Sequence, residues 1–236
     1  MQTENTLPAP APPHTFEQTP AVIVSFPLVG QRLPADHGYA LYSAIAKHLP
    51  AMHGARWLGV ELVSGIPWGD GLIALPARGA TLRLRLPATR FGEVLVLAGK
   101  RLEIGGHTLR LGLPTARPLA PAASVYARCV TIKKFTDPEP FLAAARRQLA
   151  ALRVEAALEL PTDEHGQPRR RVLRIREHTI VGFSLAAHHL GDDDSIKLQT
   201  HGLGGRRAMG CGLFNPIKRE FIQQLGTHEN VGGADV

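Results

Sequence analysis

The chain has 236 residues, 44% of them apolar and 20% charged, the composition of an ordinary soluble globular protein, long enough for one large domain or two small ones. No run approaches the roughly 18 apolar residues of a membrane span, and MQTENTLPAPAPPHTFEQTP lacks the basic start and apolar centre of a secretion signal or transit peptide, so residues 1–20 are read as a disordered Pro-rich lead. The net charge of +7 is uneven, with 16 Lys and Arg against 10 Asp and Glu in residues 128–219 and 11 against 10 elsewhere, an asymmetry that points to a nucleic acid or another acidic surface.

After the lead, AVIVSFPL (Ala21 to Leu28) is rich in β-forming residues and reads as a strand. HGYALYSAIAKHLPAM follows Asp36, an expected N-cap, and places Tyr39, Tyr42, Ile45, Ala46 and Leu49 at helical spacing until Pro50 ends the helix. WLGVELVSG and GDGLIALP read as short strands. ATLRLRLP alternates, with Leu82, Leu84 and Leu86 on one face and Arg83 and Arg85 on the other. TRFGEVLVLAG is an expected helix, and KRLEIGGHTLRLGLP an expected hairpin turning at Gly105-Gly106.

PTARPLAPAA (Pro114 to Ala123) reads as a linker. The same order then recurs: SVYARCVTIKKF as a strand, DPEPFLAAARRQLAAL as a helix capped by Asp137, and VEAALELP as a strand. A strand or hairpin follows, broken near Glu177-His178, then the helix DDDSIKLQTHG and a closing strand in GLFNPI. The expected fold is α+β, two tandem ferredoxin-like (βαββαβ) domains at 21–118 and 124–217, followed by a tail at 218–236 with a short helix.

Four features bear on chemistry. GLGGRRAMGCG (Gly202 to Gly212) sets five glycines around Arg206 and Arg207, which suits clustered N–H groups and planar donors facing a polyanion, or a flexible surface loop. RRRVLRIR puts Arg170, Val172, Arg174 and Arg176 on one side of a strand, either against a phosphate backbone or as a charged guard on a sheet edge. His37, Tyr39, Tyr42, His48 and His53 surround the first helix, with His53 just past Pro50; a tyrosine there also serves as core packing. Cys129 and Cys211 have no C-x-x-C partner and read as buried or free thiols of a reducing compartment, consistent with a cytoplasmic protein.

LYSAIAKHLPAMHG and GLGGRRAMGCGLF, on a tandem ferredoxin-like frame covering about residues 21 to 217, together resemble the CRISPR-associated Cas-six family of repeat-RNA endonucleases, part of the repeat-associated mysterious protein superfamily. The resemblance implies that His53 is the general acid/base, with Tyr42 as its companion and His37 in reserve. The family's lysine soon after the histidine is missing, and Arg56 is the nearest cation. It further implies a stem-loop CRISPR repeat RNA as partner, other CRISPR effector subunits as further partners, and no membrane or small-molecule substrate. Lys134, Arg170, Arg174, Arg176, Gly204, Gly205, Arg206 and Arg207 are the expected RNA contacts. Cleavage by the RNA's own 2′-OH, leaving a 2′,3′-cyclic phosphate and a 5′-OH, needs proton transfer and cations but no metal or other cofactor. The rival expectation is a catalytically silent RNA-binding subunit of a CRISPR complex.

Overall fold

The computed structural model describes residues 20–217. The expected lead up to residue 19 and the tail from 218, with its short helix, lie outside the described residues. Alternating burial makes Ala21–Val29 (β1) a central strand whose Val24, Phe26 and Leu28 enter the first core. It is followed by Arg32–Pro34 (β2), Gly38–Ala46 (α1), a 3-10 turn at Pro50–Met52, Gly59–Val60 (β3), Ile66–Gly69 (β4), Leu72–Ala74 (β5) and Thr81–Pro87 (β6). Phe91–Val94 (α2), extended at both ends by 3-10 turns, precedes the hairpin Arg101–Ile104 (β7) and His107–Leu111 (β8), and Thr115–Pro118 (β9) comes last. The sheet order β3-β6-β1-β8-β7, with antiparallel neighbours, is that of a ferredoxin-like unit whose fourth strand is a hairpin. Strands β2, β5 and β4 form a small separate sheet.

The second half repeats the arrangement with Ser124–Val130 (β10), Pro138–Ala151 (α3), Ala157–Glu159 (β11), Arg170–Ile175 (β12), His178–His188 (β13), Asp192–His201 (α4) and Asn215–Pro216 (β14). Its sheet runs β11-β13-β10-β14, with β12 paired along the outer part of β13. Helix α3 buries Phe141, Ala144, Ala145 and Leu149, the single stripe that a period near 3.6 supplies. Phe141 packs on Phe183 of β13 with ring centroids 5.0 Å apart. The molecule therefore carries two tandem ferredoxin-like folds. Among the described residues no helix is long and apolar enough to cross a membrane.

Three local expectations are corrected. Part of the expected linker is β9, which pairs with β1 from Val22–Pro118 to Ser25–Thr115 because β8 covers only Leu28 and Val29 on that edge. Asp36 does not cap α1, whose N-cap is His37 without a side-chain bond; its carboxylate instead accepts the Arg174 N–H of the second half at 3.0 Å.

The third correction concerns β6. Arg83 is half exposed, but Arg85, expected beside it on the face opposite the leucines, is 1% exposed. Its guanidinium donates to the carbonyls of Gln199 (2.9 Å) and Phe214 (2.6 Å), to Asn215 Oδ1 (2.6 Å) and to Glu61 Oε1 (2.9 Å). The end of α4 and β14 thus close over the second face of the first sheet, with one arginine satisfying carbonyls from both elements. Burial lowers its pKa, and the Glu61 carboxylate opposes that shift.

Candidate active site between the first helix and the second half

Helix α1 turns Leu41, Ala44 and Ile45 into the core, so the opposite side presents Tyr39, Tyr42, Ser43 and Lys47. The tyrosines are therefore half-buried beside the core rather than part of its stripe. Pro50 then fixes a 3-10 turn in which Met52 plugs the core, leaving the next residue, His53, exposed at its end. Tyr42 and His53 meet there. The phenol oxygen lies 3.0 Å from His53 Nδ1, and the rings are edge-on with centroids 5.9 Å apart. That contact occupies one imidazole nitrogen, leaving Nε2 for a ligand.

The facing wall belongs to the other half. Ile175, Arg176, Glu177 and His178, at the β12–β13 turn, line the same opening of about 750 Å³ together with Tyr39, Tyr42, Ser43, Lys47 and His53. Arg176 belongs to the turn rather than to the strand, with φ of 51°, a left-handed conformation that costs a non-glycine residue energy unless its surroundings hold it. Its Nε donates to the Tyr39 hydroxyl at 3.0 Å. The same bond holds the Tyr39 phenol below its usual pKa and raises that of Arg176. With the Asp36–Arg174 bond, it pins the turn onto the start of α1.

His37 is not brought to this opening. It is 0% exposed, with Nδ1 2.7 Å from the Pro34 carbonyl and Nε2 accepting the Val63 N–H at 3.0 Å. The ring is a neutral linker between β2 and the chain after β3, and burial lowers its pKa.

The glycine segment also differs from an open cradle. The N–H groups of Gly202, Gly204, Gly205 and Gly212 donate to Leu198 O, Gln148 Oε1, Thr131 O and Cys129 O at 2.7–2.9 Å. A Cβ at Gly212, where φ is 67°, would strike the Leu203 carbonyl, and one at Gly210 would strike Leu62. These glycines allow a close-packed plug between the two halves. Arg206 donates to Thr131 Oγ1 at 3.3 Å. Arg207 donates to Thr200 O at 2.6 Å and to Arg56 O at 3.4 Å, and burial beside Arg85 lowers its pKa to about 10. Within the same packing, the Cys129 and Cys211 thiols are buried and free, 3.7 Å apart.

Of the other expected RNA contacts, Arg170 and Arg174 stand exposed on the outer face of β12, which leads to the Arg176 turn, and Lys134 is exposed with φ of 74°. Lys47, Glu177 and His178 were missed by sequence reasoning. Lys47 was findable, because it falls on the helix face of Tyr39 and Ser43 at i+8 and i+4. Nothing in the sequence links Glu177 or His178 to a helix some 130 residues earlier.

The chain is thus a protein of two ferredoxin-like units joined by a glycine-rich plug, with a Tyr–His pair and a basic turn lining their shared opening. A family model described as Cas6 Crispr matches residues 22–219, and the chain belongs to the Cas6 family. It is 43% identical over 194 residues to the CRISPR-associated endonuclease Cas6 of Myxococcus xanthus strain DK1622, covering 82% of this chain and 80% of that one. Two solved structures share the fold. One, a CRISPR-associated protein Cas6, superposes with a TM-score of 0.61 at 13% identity over 84% of this chain and all of that one. The other, a Cas6-related gene product from Pyrococcus furiosus, superposes with a TM-score of 0.62 at 12% identity over 85% and 99%.

Proposed function

We propose that the chain is an endoribonuclease that cuts CRISPR repeat RNA, using the RNA's own 2′-OH as nucleophile and leaving a 2′,3′-cyclic phosphate and a 5′-OH. Membership of the Cas6 family and the likeness to the M. xanthus endonuclease support the substrate class. The observation that carries the reading is the His53 imidazole, exposed and oriented by Tyr42, in one opening with the cations Lys47 and Arg176. His53 exchanges the proton through Nε2, Tyr42 fixes the ring, and the two cations offset the charge that builds on the phosphorane. Arg176, from the second half, takes the part of the missing lysine in place of Arg56. His37 keeps a structural part.

The repeat stem is held along Arg170 and Arg174 toward Arg176, with Lys134 at the edge, and affinity falls as salt rises. Gly204, Gly205, Arg206 and Arg207 act behind this surface by seating the second half on the first. We take the two units to run over 21–118 and 124–217. Two unpaired thiols fit work in the reducing cytoplasm.

Incubation of the full chain with a synthetic stem-loop repeat RNA in EDTA tests the reading. One cut at a fixed position, at the rate seen with magnesium, is expected. Strict dependence on a divalent ion overturns the mechanism. Binding without any cut, with or without metal, favours a silent RNA-binding subunit.

A further inference from the structure

An in-line displacement at phosphorus places the entering and leaving oxygens on opposite sides of the phosphorus atom. A single imidazole fixed by one hydrogen bond reaches one of them. The proposed reaction therefore calls for a second proton-transfer group on the far wall. His53, held by Tyr42, belongs to the wall made by α1 and the turn after it. The other wall is the β12–β13 turn, and it carries an exposed imidazole of its own, His178.

Other polar groups lining the opening are less suited. Tyr39 is engaged by Arg176, Lys47 and Arg176 are cations matched to phosphate oxygens, and Tyr42 is engaged by His53. Glu177 offers a carboxyl group, a side-chain type that ordinarily ionises well below neutrality and so is less suited to giving a proton there than an imidazole. Imidazole is the side chain whose ordinary pKa allows it to give and regain a proton near neutrality. The turn that carries His178 is fixed against α1 at Arg176–Tyr39 and Arg174–Asp36, both at 3.0 Å, so the imidazole is presented from a held element.

On the endoribonuclease reading, which this inference rests on, we infer that His178 is the general acid that protonates the leaving 5′-oxygen, while His53 is the base. His53 Nε2 takes the 2′-OH proton as the 2′-oxygen lone pair forms the bond to phosphorus. The phosphorus–5′-oxygen bond breaks with its electron pair on the 5′-oxygen, and that oxygen receives the proton from His178. The ends are a 2′,3′-cyclic phosphate and a 5′-OH, and both imidazoles regain their starting states by proton exchange with water.

The test compares an ordinary repeat RNA with one whose scissile 5′-oxygen is replaced by sulfur. A thiol is a far stronger acid than an alcohol, so the thiolate leaves without a general acid. His178→Ala, and His178→Gln as a polar control, should cut ordinary RNA about 100-fold more slowly than the unchanged chain and bind it equally. On the sulfur RNA both should come within about threefold of the unchanged chain, whereas His53→Ala stays slow on both substrates.

Equal losses for the His178 variants on both RNAs, a loss explained by weakened binding, or no loss on ordinary RNA each overturn the assignment to His178 while leaving the nuclease reading in place. If it is Glu177→Gln that is slow on ordinary RNA and restored by sulfur, the acid is Glu177 and the inference is wrong. An unchanged chain that cuts neither RNA removes the nuclease reading and His178's role with it.

Discussion

His53→Ala is expected to cut repeat RNA about a thousandfold more slowly than the unchanged chain while binding it with unchanged affinity, since an acid/base group contributes about two to four orders of magnitude in rate. His53 is exposed at the end of a short turn, and among the described residues its side chain bonds to Tyr42 alone, so its loss removes no core contact. Tyr42→Phe keeps the ring and removes the bond that orients the imidazole; its loss of rate should be smaller, about tenfold. Gel-shift titration and single-turnover cleavage of the same RNA separate the two effects. Undiminished cleavage by His53→Ala transfers the chemistry elsewhere in the molecule, and joint loss of binding and cleavage makes His53 an RNA contact instead.

The largest effect on stability is expected at Arg85, which does not line the candidate site. Arg85→Ala leaves the Glu61 carboxylate without its buried partner and the Gln199 and Phe214 carbonyls without a donor. Breaking a buried, hydrogen-bonded ion pair from one side costs about 3–5 kcal/mol. In a protein of this size that corresponds to a fall of about 10 °C in Tm. Arg85→Lys should recover only part of it, because a single ammonium cannot reproduce a planar fork directed at four acceptors. Arg85→Met with Glu61→Leu should recover more, because neither member of the pair is then left buried without its partner. Calorimetry of the three variants reads this directly. A Tm for Arg85→Ala within about 2 °C of the unchanged chain contradicts a role for Arg85 in holding the halves together.

Arg85 also marks where sequence reasoning stops. The alternation of Leu82, Leu84 and Leu86 specified one buried face of β6 correctly, because a period of two reports the stronger apolar side. It carries no information about what covers the other side, which here comes from residues 199–215. The glycine segment shows the same boundary. Its need for small residues was legible, but whether the N–H groups face a ligand or the chain's own carbonyls depends on Thr131, Cys129 and Gln148, distant in sequence.

Helix α1 was legible as an element, and Ile45, Ala46 and Leu49 among its expected positions are buried; Leu41 and Ala44 complete the core-facing side, which the two tyrosines do not share. That phase turns both tyrosines and Lys47 outward together. The repeated βαββαβ order, the Gly105-Gly106 hairpin and the break near Glu177-His178 were legible because each rests on local patterning and turn residues. The meeting of the Arg176 turn with Tyr39 was not, since long-range packing alone brings them together.

The most direct measurement is cleavage of a repeat RNA carrying a single 2′-deoxy nucleotide on the 5′ side of the cut, in EDTA and under single-turnover conditions. The account predicts binding as tight as to the all-ribose RNA and no cut at that position. Cleavage at an undiminished rate would contradict it, because the nucleophile would then have to be something other than the RNA's own hydroxyl.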